Sequence, residues 1–287
     1  MKVKISRRIS IVFICLFIAV FVVFDNCVEV RGEVSILGNL SKMGVTDEQL
    51  NIDLKEVYFA ISPFTSIKFF DNLNSMLSAL NSGKIVAFCI DKYTADYLIS
   101  RTGQYVKFRP SGLPVYNLNF SMLLKEEDAE LCERISSAIR DMKADGTIAA
   151  LKKQYIDDCI AGKEPDAVKP EHFEGAATLT IALTGDRPPM DYFSATGEAI
   201  GFNTALISET AKRLKVNIEF ISVDTGARAI VLKSKANGAV FWAEAGDFNN
   251  REGSNSEDQP EHTLITEPFL GCTEVYVTLP TSPLLQK

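Results

Sequence analysis

The stretch TLTIALTGDRPPMDYFSATGEAIGFNTALISETAKRLKVNIEF, residues 178–220, decides the fold. It opens with an apolar strand (178–183), crosses a loop rich in turn residues, and continues into a helix (202–215) and a second strand that begins at Asn217. A strand, a helix and a second strand in this order are typical of a parallel sheet with helices packed on its faces. The segment therefore predicts an α/β fold.

The same alternation of strands and helices extends in both directions along the chain. Between residues 71 and 83, apolar side chains recur at i, i+3, i+4 and i+7, which predicts a helix with Gly83 as its left-handed cap. The run KIVAFCID (84–91) is apolar between charged ends, as in a strand that is covered on both faces. Further helices are predicted at 39–50, 92–101, 125–143, 145–162 and 225–235, and further strands at 34–38, 56–61, 104–108, 118–124, 238–243, 263–269 and 273–279.

The 287-residue chain has the composition of an ordinary globular protein, with 46% hydrophobic and 23% charged residues. Its charge is uneven, because the first 32 residues carry five basic and two acidic side chains. The remaining 255 residues carry 25 basic and 35 acidic side chains, a net charge of −10. Such an acidic surface repels phosphate backbones, which argues against nucleic acid as a partner.

Residues 1–32 have the pattern of an export signal. Four cations in the first eight residues precede sixteen uncharged residues, 9–24. This segment is interpreted as a cleaved signal peptide, an uncleaved membrane anchor or, through Cys27, a lipoprotein signal. Each alternative places residues 33–287 outside the cytoplasm, either secreted or tethered to the membrane.

Cysteine and histidine give no sign of a metal or cofactor site. The exported part holds four cysteines, whose pairing the sequence leaves open: Cys89, Cys132, Cys159 and Cys272. No CxxC motif is present, and the two histidines, His172 and His262, lie far apart in the chain. We therefore expect no metal and no cofactor.

Three segments between residues 178 and 243 resemble a known family: TGDRPPMDYF, GEAIGFNTALISETAKRLKVNIEF and ARAIVLKSKANGAVFW. In this order they are similar to the opening of extracellular solute-binding proteins of the polar-amino-acid ABC importer type. TEPFLGCTEVYV (266–277) resembles the strand that precedes the crossover between the two lobes of that family. The resemblance implies a two-lobe, periplasmic-binding-protein-like (Venus-flytrap) α/β fold.

The first half of the chain resembles the second half of the same family. Residues 73–98 look like a helix, strand and helix of the second lobe, and 118–156, with their DGT turn, look like the closing segment. The family's order is thus reversed, either by circular permutation of one module or because the chain is a fragment of a tandem array. We favour the permuted module, since 255 exported residues match one complete binding protein and chain ends commonly lie together at the surface. The predicted division is a signal or anchor (1–32), lobe 2 (33–116), a closing segment packed on lobe 1 (117–162), a linker (163–175) and lobe 1 (176–287).

Candidate ligand-binding residues follow the predicted strands, because ligands of such folds lie outside the carboxyl ends of parallel strands. In lobe 1 the candidates are Asp186, Tyr192 and Phe193, then Trp242 and Glu244. By resemblance, Tyr192 or Phe193 lies against the ligand. The alternatives are that the loop is only a turn fixed by its two prolines, and that Trp242 belongs to the core.

Lobe 2 contributes a second group of candidates. By resemblance, Asp91 grips the ligand's α-amino group, although the same carboxylate is placed to cap helix 92–101. Gly38, Asn39 and Ser41 follow the first lobe-2 strand, where the family offers backbone N–H groups to an anion.

One departure from the family concerns the arginine that binds the ligand's carboxylate. The family places Thr-x-x-Arg after the strand that enters the pocket, and here that stretch reads AEAGDFNNREGSN (243–255). Arg228 and Arg251 are the candidate substitutes, and either is equally well a solvated cation. The departure puts amino-acid specificity in question.

The sequence thus predicts a non-enzymatic, monomeric binding protein that closes two lobes on an amino acid or related polar metabolite and delivers it to a membrane ABC permease. A non-transport sensor and a degenerate tandem fragment are the alternatives. A dehydratase or lyase on the same scaffold is a further one, for which carboxylates are present but no catalytic triad can be assembled from a suitable histidine. Those carboxylates are Asp91, Asp186, Asp191 and Glu244.

Overall fold

A computed structural model of the chain describes residues 34–37, 67–70, 72–109, 117–224, 227–244, 260 and 262–285. The predicted export signal, the helix at 39–50 and the strand at 56–61 lie outside the described residues. Among the residues that are described, no helix combines the length and the apolar character that crossing a membrane requires.

The first half of the chain alternates strands and helices as predicted. Its elements are β1 (Val34–Leu37), β2 (Ile67–Phe70), α1 (Leu73–Asn81), β3 (Ala87–Asp91), α2 (Lys92–Thr102), β4 (Val106–Phe108), β5 (Asn117–Lys125), a 3₁₀ turn (Glu126–Asp128), α3 (Ala129–Ala144), α4 (Thr147–Lys152), a π-helical turn (Lys153–Asp157) and α5 (Asp158–Ile160). Strand β2 was not predicted. The cap at the end of α1 agrees with the sequence, since Gly83 has a φ of 72°.

The second half adds a small sheet to the predicted elements. It contains β6 (Thr178–Leu183), β7 (Asp186–Arg187), β8 (Asp191–Phe193), β9 (Ala199–Ile200), α6 (Phe202–Leu214), β10 (Asn217–Ser222), α7 (Arg228–Ser234), β11 (Gly238–Glu244), β12 (Thr263–Ile265), β13 (Leu270–Thr278) and a 3₁₀ turn (Pro283–Leu285). Strands β7, β8 and β9 form an antiparallel sheet within the segment predicted as a loop, because its turn residues hide strands of two or three residues.

The large strands form two groups that β13 connects, in the order β10-β6-β11-β5-β13-β3-β1-β2. The neighbours β10, β6 and β11 run parallel, as do β3, β1 and β2, whereas β5 and β13 run antiparallel to their neighbours. The first half of β13 (270–273) pairs with β5, and its second half (274–278) pairs with β3. We call β5–β12 with helices α3–α7 lobe 1, and β1–β4 with α1 and α2 lobe 2.

Each lobe has its own apolar core. In lobe 1, one sheet face packs on α3, α4 and α6 through side chains such as Phe120, Ile139 and Phe202, and the other face packs on α7 through Leu232 and Phe241. In lobe 2, α1 and α2 cover β3 through a second cluster: Met76, Leu80, Phe88, Ile90 and Leu98. The α/β fold with two lobes that the sequence predicts is confirmed.

Strand β5 ties the two halves of the chain together. It comes from the first half, yet Leu118–Leu124 pair with β11 along the whole length of that strand, and Asn117–Phe120 also pair with β13. The two halves therefore build one sheet, which is the arrangement that a permuted single module requires. The domain boundaries given by the sequence stay a prediction.

The four cysteines of this part of the chain are buried free thiols: Cys89, Cys132, Cys159 and Cys272. No disulfide bond therefore joins any two of these four cysteines. Within the described residues, no three His, Cys, Asp or Glu side chains are grouped as metal ligands would be.

Candidate functional site

The segment between β6 and α6 is organised around the carboxylate of Asp191, which is buried. One carboxylate oxygen accepts hydrogen bonds from the Thr184 hydroxyl (2.7 Å) and the Gly185 N–H (3.0 Å), and the other accepts from the Asn203 side chain (2.7 Å). Because all three partners belong to the same segment or to the start of α6, Asp191 holds this segment in shape. Its role is therefore structural, and the described lobe 1 carboxylate that contacts lobe 2 is that of Asp186.

Two glycines let the segment fold this tightly. Gly185 and Gly201 have φ values of 74° and 115°, a region that other residues rarely adopt. A Cβ on Gly185 would lie 2.7 Å from the Phe193 ring, and one on Gly201 would lie 2.5 Å from the carbonyl oxygen of Met190. The tight turn at Gly185 places the two residues that follow it, Asp186 and Arg187, just beyond the carboxyl end of β6.

Asp91 ends β3 and is almost fully buried, with 1% of its surface exposed. Its Oδ1 accepts a hydrogen bond from the Thr94 N–H (2.9 Å), so the predicted capping of helix 92–101 is confirmed. Its Oδ2 is 2.5 Å from Nη2 of Arg187. The carboxylate therefore has two protein partners, one in its own lobe and one in lobe 1.

Arg187 is the residue of this candidate site that sequence reasoning missed. Its side chain is 3% exposed, its guanidinium is paired with Asp91, and its Cζ lies 4.1 Å from the ring centroid of Trp242. Among the described residues, Nε and Nη1 of this guanidinium have no hydrogen-bond partner. The signal in the sequence was a cation inside GDRPP, directly after an apolar strand, but its partner lies 96 residues away.

Asp186 makes a second contact between the lobes. Its Oδ2 accepts a hydrogen bond of 2.6 Å from the backbone N–H of Leu73 at the start of α1. Burial raises the pKa of this carboxyl group, although the Leu73 N–H and the Arg187 guanidinium oppose that rise. The helix N-terminus favours a negative charge at this position.

The predicted aromatic residues are spread over the site and the core. Trp242 is 5% exposed and belongs to the lobe 1 core, where its ring centroid is 6.0 Å from that of Phe120, yet it also contacts Arg187. Phe193 is half-buried and packs against the same core. Tyr192 is half-buried on β8, and burial raises the pKa of its hydroxyl group. Trp242 thus belongs to the core and borders Arg187, and its contact with a ligand stays a prediction.

Several other candidates are not placed at this site by the structure. Gly38, Asn39, Ser41 and Arg251 lie outside the described residues. Glu244 ends β11 opposite Leu118, and Arg228 begins α7, but the structure does not describe the side chain of either. We call the group that the structure does bring together the interlobe seam, and it consists of Asp91, Asp186, Arg187 and Trp242.

The interlobe seam joins the carboxyl ends of three strands. Asp91 ends β3 of lobe 2, whereas Trp242 lies near the end of β11 and Asp186 and Arg187 follow β6 in lobe 1. It holds two carboxylates and one guanidinium, with an indole ring beside the guanidinium. Chemically, such a group can hold a charged polar molecule, and it offers no nucleophile with an adjacent base.

Comparison with known proteins supports part of this picture. Residues 179–241 match the family model of bacterial extracellular solute-binding proteins, family 3. This match agrees with the periplasmic-binding-protein-like fold expected from the sequence. A search of curated proteins finds no match to the chain.

Solved structures with a similar fold have low sequence identity. The periplasmic domain of BvgS from B. pertussis matches with a TM-score of 0.41 and 14% identity, covering 88% of this chain and 38% of that one. The GluR0 ligand-binding core from Nostoc punctiforme in complex with L-glutamate matches with a TM-score of 0.40 and 10% identity, covering 88% and 87%. The ligand-binding component of an ABC-type import system from Staphylococcus aureus, with zinc bound, matches with a TM-score of 0.41 and 11% identity, covering 86% and 65%.

Proposed function

We propose that this chain binds a small polar solute between its two lobes, outside the cytoplasm. The observation that carries the proposal is the interlobe seam, in which buried charged residues from both lobes meet at the carboxyl ends of their strands. Buried charges are expensive to maintain for stability alone, and this is where the ligands of such folds lie. The match of residues 179–241 to an extracellular solute-binding family supports the same function and location.

The charge of the interlobe seam favours an amino acid or a related polar metabolite. Asp91 and Asp186 together outnumber the single guanidinium of Arg187, so a ligand that carries an ammonium group would neutralise the excess negative charge. Delivery of the solute to an ABC permease is the proposed use of this binding. The protein acts as a binding module and not as an enzyme.

Thermal unfolding tests the proposed function. The full-length chain is heated with each member of a panel of amino acids, small peptides, organic acids and amines. A solute that binds only the folded state stabilises it by about 2.7 kcal/mol at 100 times its dissociation constant, so one chemical class should raise the midpoint. An unchanged midpoint across the whole panel would contradict solute binding.

A pair of variants locates the binding. Asp186→Asn keeps an oxygen that can accept a hydrogen bond from the Leu73 N–H but removes the negative charge. It should weaken the affinity for the active solute at least tenfold. The matched control is Asp96→Asn, which removes a carboxylate of α2 that is ion-paired with Lys92 and Lys107 away from the interlobe seam. Equal loss of binding in both variants would place the solute elsewhere.

A further inference from the structure

Arg187 carries more hydrogen-bonding capacity than the protein uses. The side chain is 97% buried, yet among the described residues only Nη2 has a partner, while Nε and Nη1 have none. Buried polar groups in native proteins are nearly always hydrogen-bonded, because a donor that has lost water and gained no acceptor is destabilising. Two unpartnered donors on one buried guanidinium therefore call for an acceptor that is not a side chain described here.

We propose that Arg187 is the residue that recognises a carboxylate group of the solute. This inference rests on the proposed function and names the chemistry of one end of the ligand. The sequence offers other residues for an anion, namely Arg228, Arg251 and the backbone around Gly38, and none of them has a described contact with Asp91 or Trp242.

The surroundings of Arg187 select a planar anion of single charge. A guanidinium donates to a carboxylate through short, charge-assisted hydrogen bonds. The indole of Trp242 lies 4.1 Å from Cζ and restricts the orientation of the guanidinium plane. Asp91 and Asp186 are close by, so a doubly charged phosphate would meet more repulsion than a carboxylate.

The position of Arg187 also links this recognition to lobe closure. Its backbone lies in lobe 1 on β7, and its Nη2 already holds Asp91 at the end of β3 in lobe 2. A carboxylate that accepts from Nε or Nη1 is therefore bound by a side chain that joins the lobes. Binding at this residue therefore stabilises the contact between the lobes.

The test compares acids with their amides on the unaltered full-length chain. The probes are the L-amino acids beside the corresponding carboxamides, together with acetate, succinate and inorganic phosphate, and the readout is the unfolding midpoint. We expect the active compound to be a carboxylate whose carboxamide binds at least tenfold more weakly, and phosphate to have a smaller effect. Equal affinity of acid and amide, or a larger effect of phosphate, would overturn the inference.

Variants then assign the preference to Arg187. Arg187→Gln should reduce the ratio of acid to amide affinity to near one, and the double variant Asp91→Asn with Arg187→Gln should do the same without leaving a buried charge unpaired. The matched control Arg213→Gln removes an arginine that pairs with Asp145 and Glu209, and should keep the ratio. A ratio retained in the double variant would contradict the assignment.

The outcomes separate this inference from the proposed function. If a neutral or cationic compound raises the midpoint and no carboxylate does, the chain binds a solute and the role given to Arg187 is wrong. If no compound raises the midpoint, the proposed function and the inference both fail.

Discussion

At the scale of single residues, the central feature of the site is the buried ion pair of Asp91 and Arg187. Both side chains are at least 97% buried, so neither charge has water to replace a lost partner. Breaking such a pair from one side typically destabilises a protein by about 3–5 kcal/mol, whereas exposed pairs are worth about 0–1 kcal/mol. The contribution of this pair to stability therefore lies in the mutual neutralisation of two buried charges.

A double-mutant cycle measures that neutralisation. Asp91→Asn should destabilise the fold by about 3–5 kcal/mol, and the double variant with Arg187→Gln should be less destabilised than the sum of the two single variants. Urea unfolding of the four proteins gives the coupling free energy. Asp96→Asn, on the helix that Asp91 caps but partly exposed, serves as the control and should cost about 1 kcal/mol or less. Strict additivity would contradict a direct interaction between Asp91 and Arg187.

Among the structural elements, the segment between β6 and α6 shows best how the backbone positions the interlobe seam. The N–H groups of Phe202 and Asn203 at the start of α6 donate to the carbonyl oxygens of Pro189 and Met190. This close approach needs the glycine at position 201, since a side chain there would collide with the backbone of Met190. The start of α6 and the segment between β6 and α6 are thus held together by backbone hydrogen bonds.

Two alanine substitutions separate this close contact from backbone strain. Gly201 and Gly197 both have positive φ, but a Cβ at Gly197 would have no atom within 4 Å. Gly197→Ala should therefore cost about 1 kcal/mol for its conformation alone, and Gly201→Ala about 2 kcal/mol more than that. Denaturant unfolding of both variants gives the difference. Equal costs would mean that the loop moves away from α6 freely.

The turn before α4 gives a pH dependence with a definite sign. The Thr147 hydroxyl and backbone N–H and the Arg213 guanidinium lower the pKa of Asp145 to about 2. Because the pKa is lower in the folded state than its ordinary value of 3.8, the stabilisation is complete above that value and is lost as the pH falls through about 2. Unfolding of the wild type and Asp145→Asn should differ most above pH 5 and converge toward pH 2. A constant difference over that range would contradict the contacts of Asp145.

Local patterns allowed the long elements to be predicted, and long-range contacts explain what was missed. Helix α1 followed from its apolar spacing, and β3 from a continuous apolar run that is buried throughout. The strands β7–β9 were missed because two or three residues among prolines and glycines leave no period to detect. Arg187 was missed because nothing in its neighbourhood in the sequence shows that Asp91, 96 residues earlier, faces it.

At the scale of the whole molecule, the two halves of the chain are held together by the pairing of their β-strands and not by the linker. The segment 163–175 is largely exposed. It is nevertheless anchored at two points, since the Val168 N–H donates a hydrogen bond to the Ala199 carbonyl and the Asn217 side chain forms hydrogen bonds with the backbone of Phe173. By contrast, β5 pairs along the whole of β11. The linker connects the halves in the chain, and the sheet connects them in space.

Cutting the linker distinguishes a single module from two separate units. Mild trypsin treatment that cuts after the exposed Lys163 should produce two fragments that still elute together in size-exclusion chromatography, because β5 stays between β11 and β13. Their joint unfolding should remain one cooperative transition. Fragments that separate without denaturant would support the tandem-fragment architecture.

The most direct test of solute binding at the interlobe seam uses Trp242. It is the single tryptophan of the chain, and it lies against Arg187, so its fluorescence reports on this site alone. The compound that raises the unfolding midpoint is titrated into the full-length chain while tryptophan emission is recorded. We expect a saturable change in emission whose dissociation constant equals that obtained from thermal unfolding. A raised midpoint with unchanged emission would show that the solute binds elsewhere and would contradict the account.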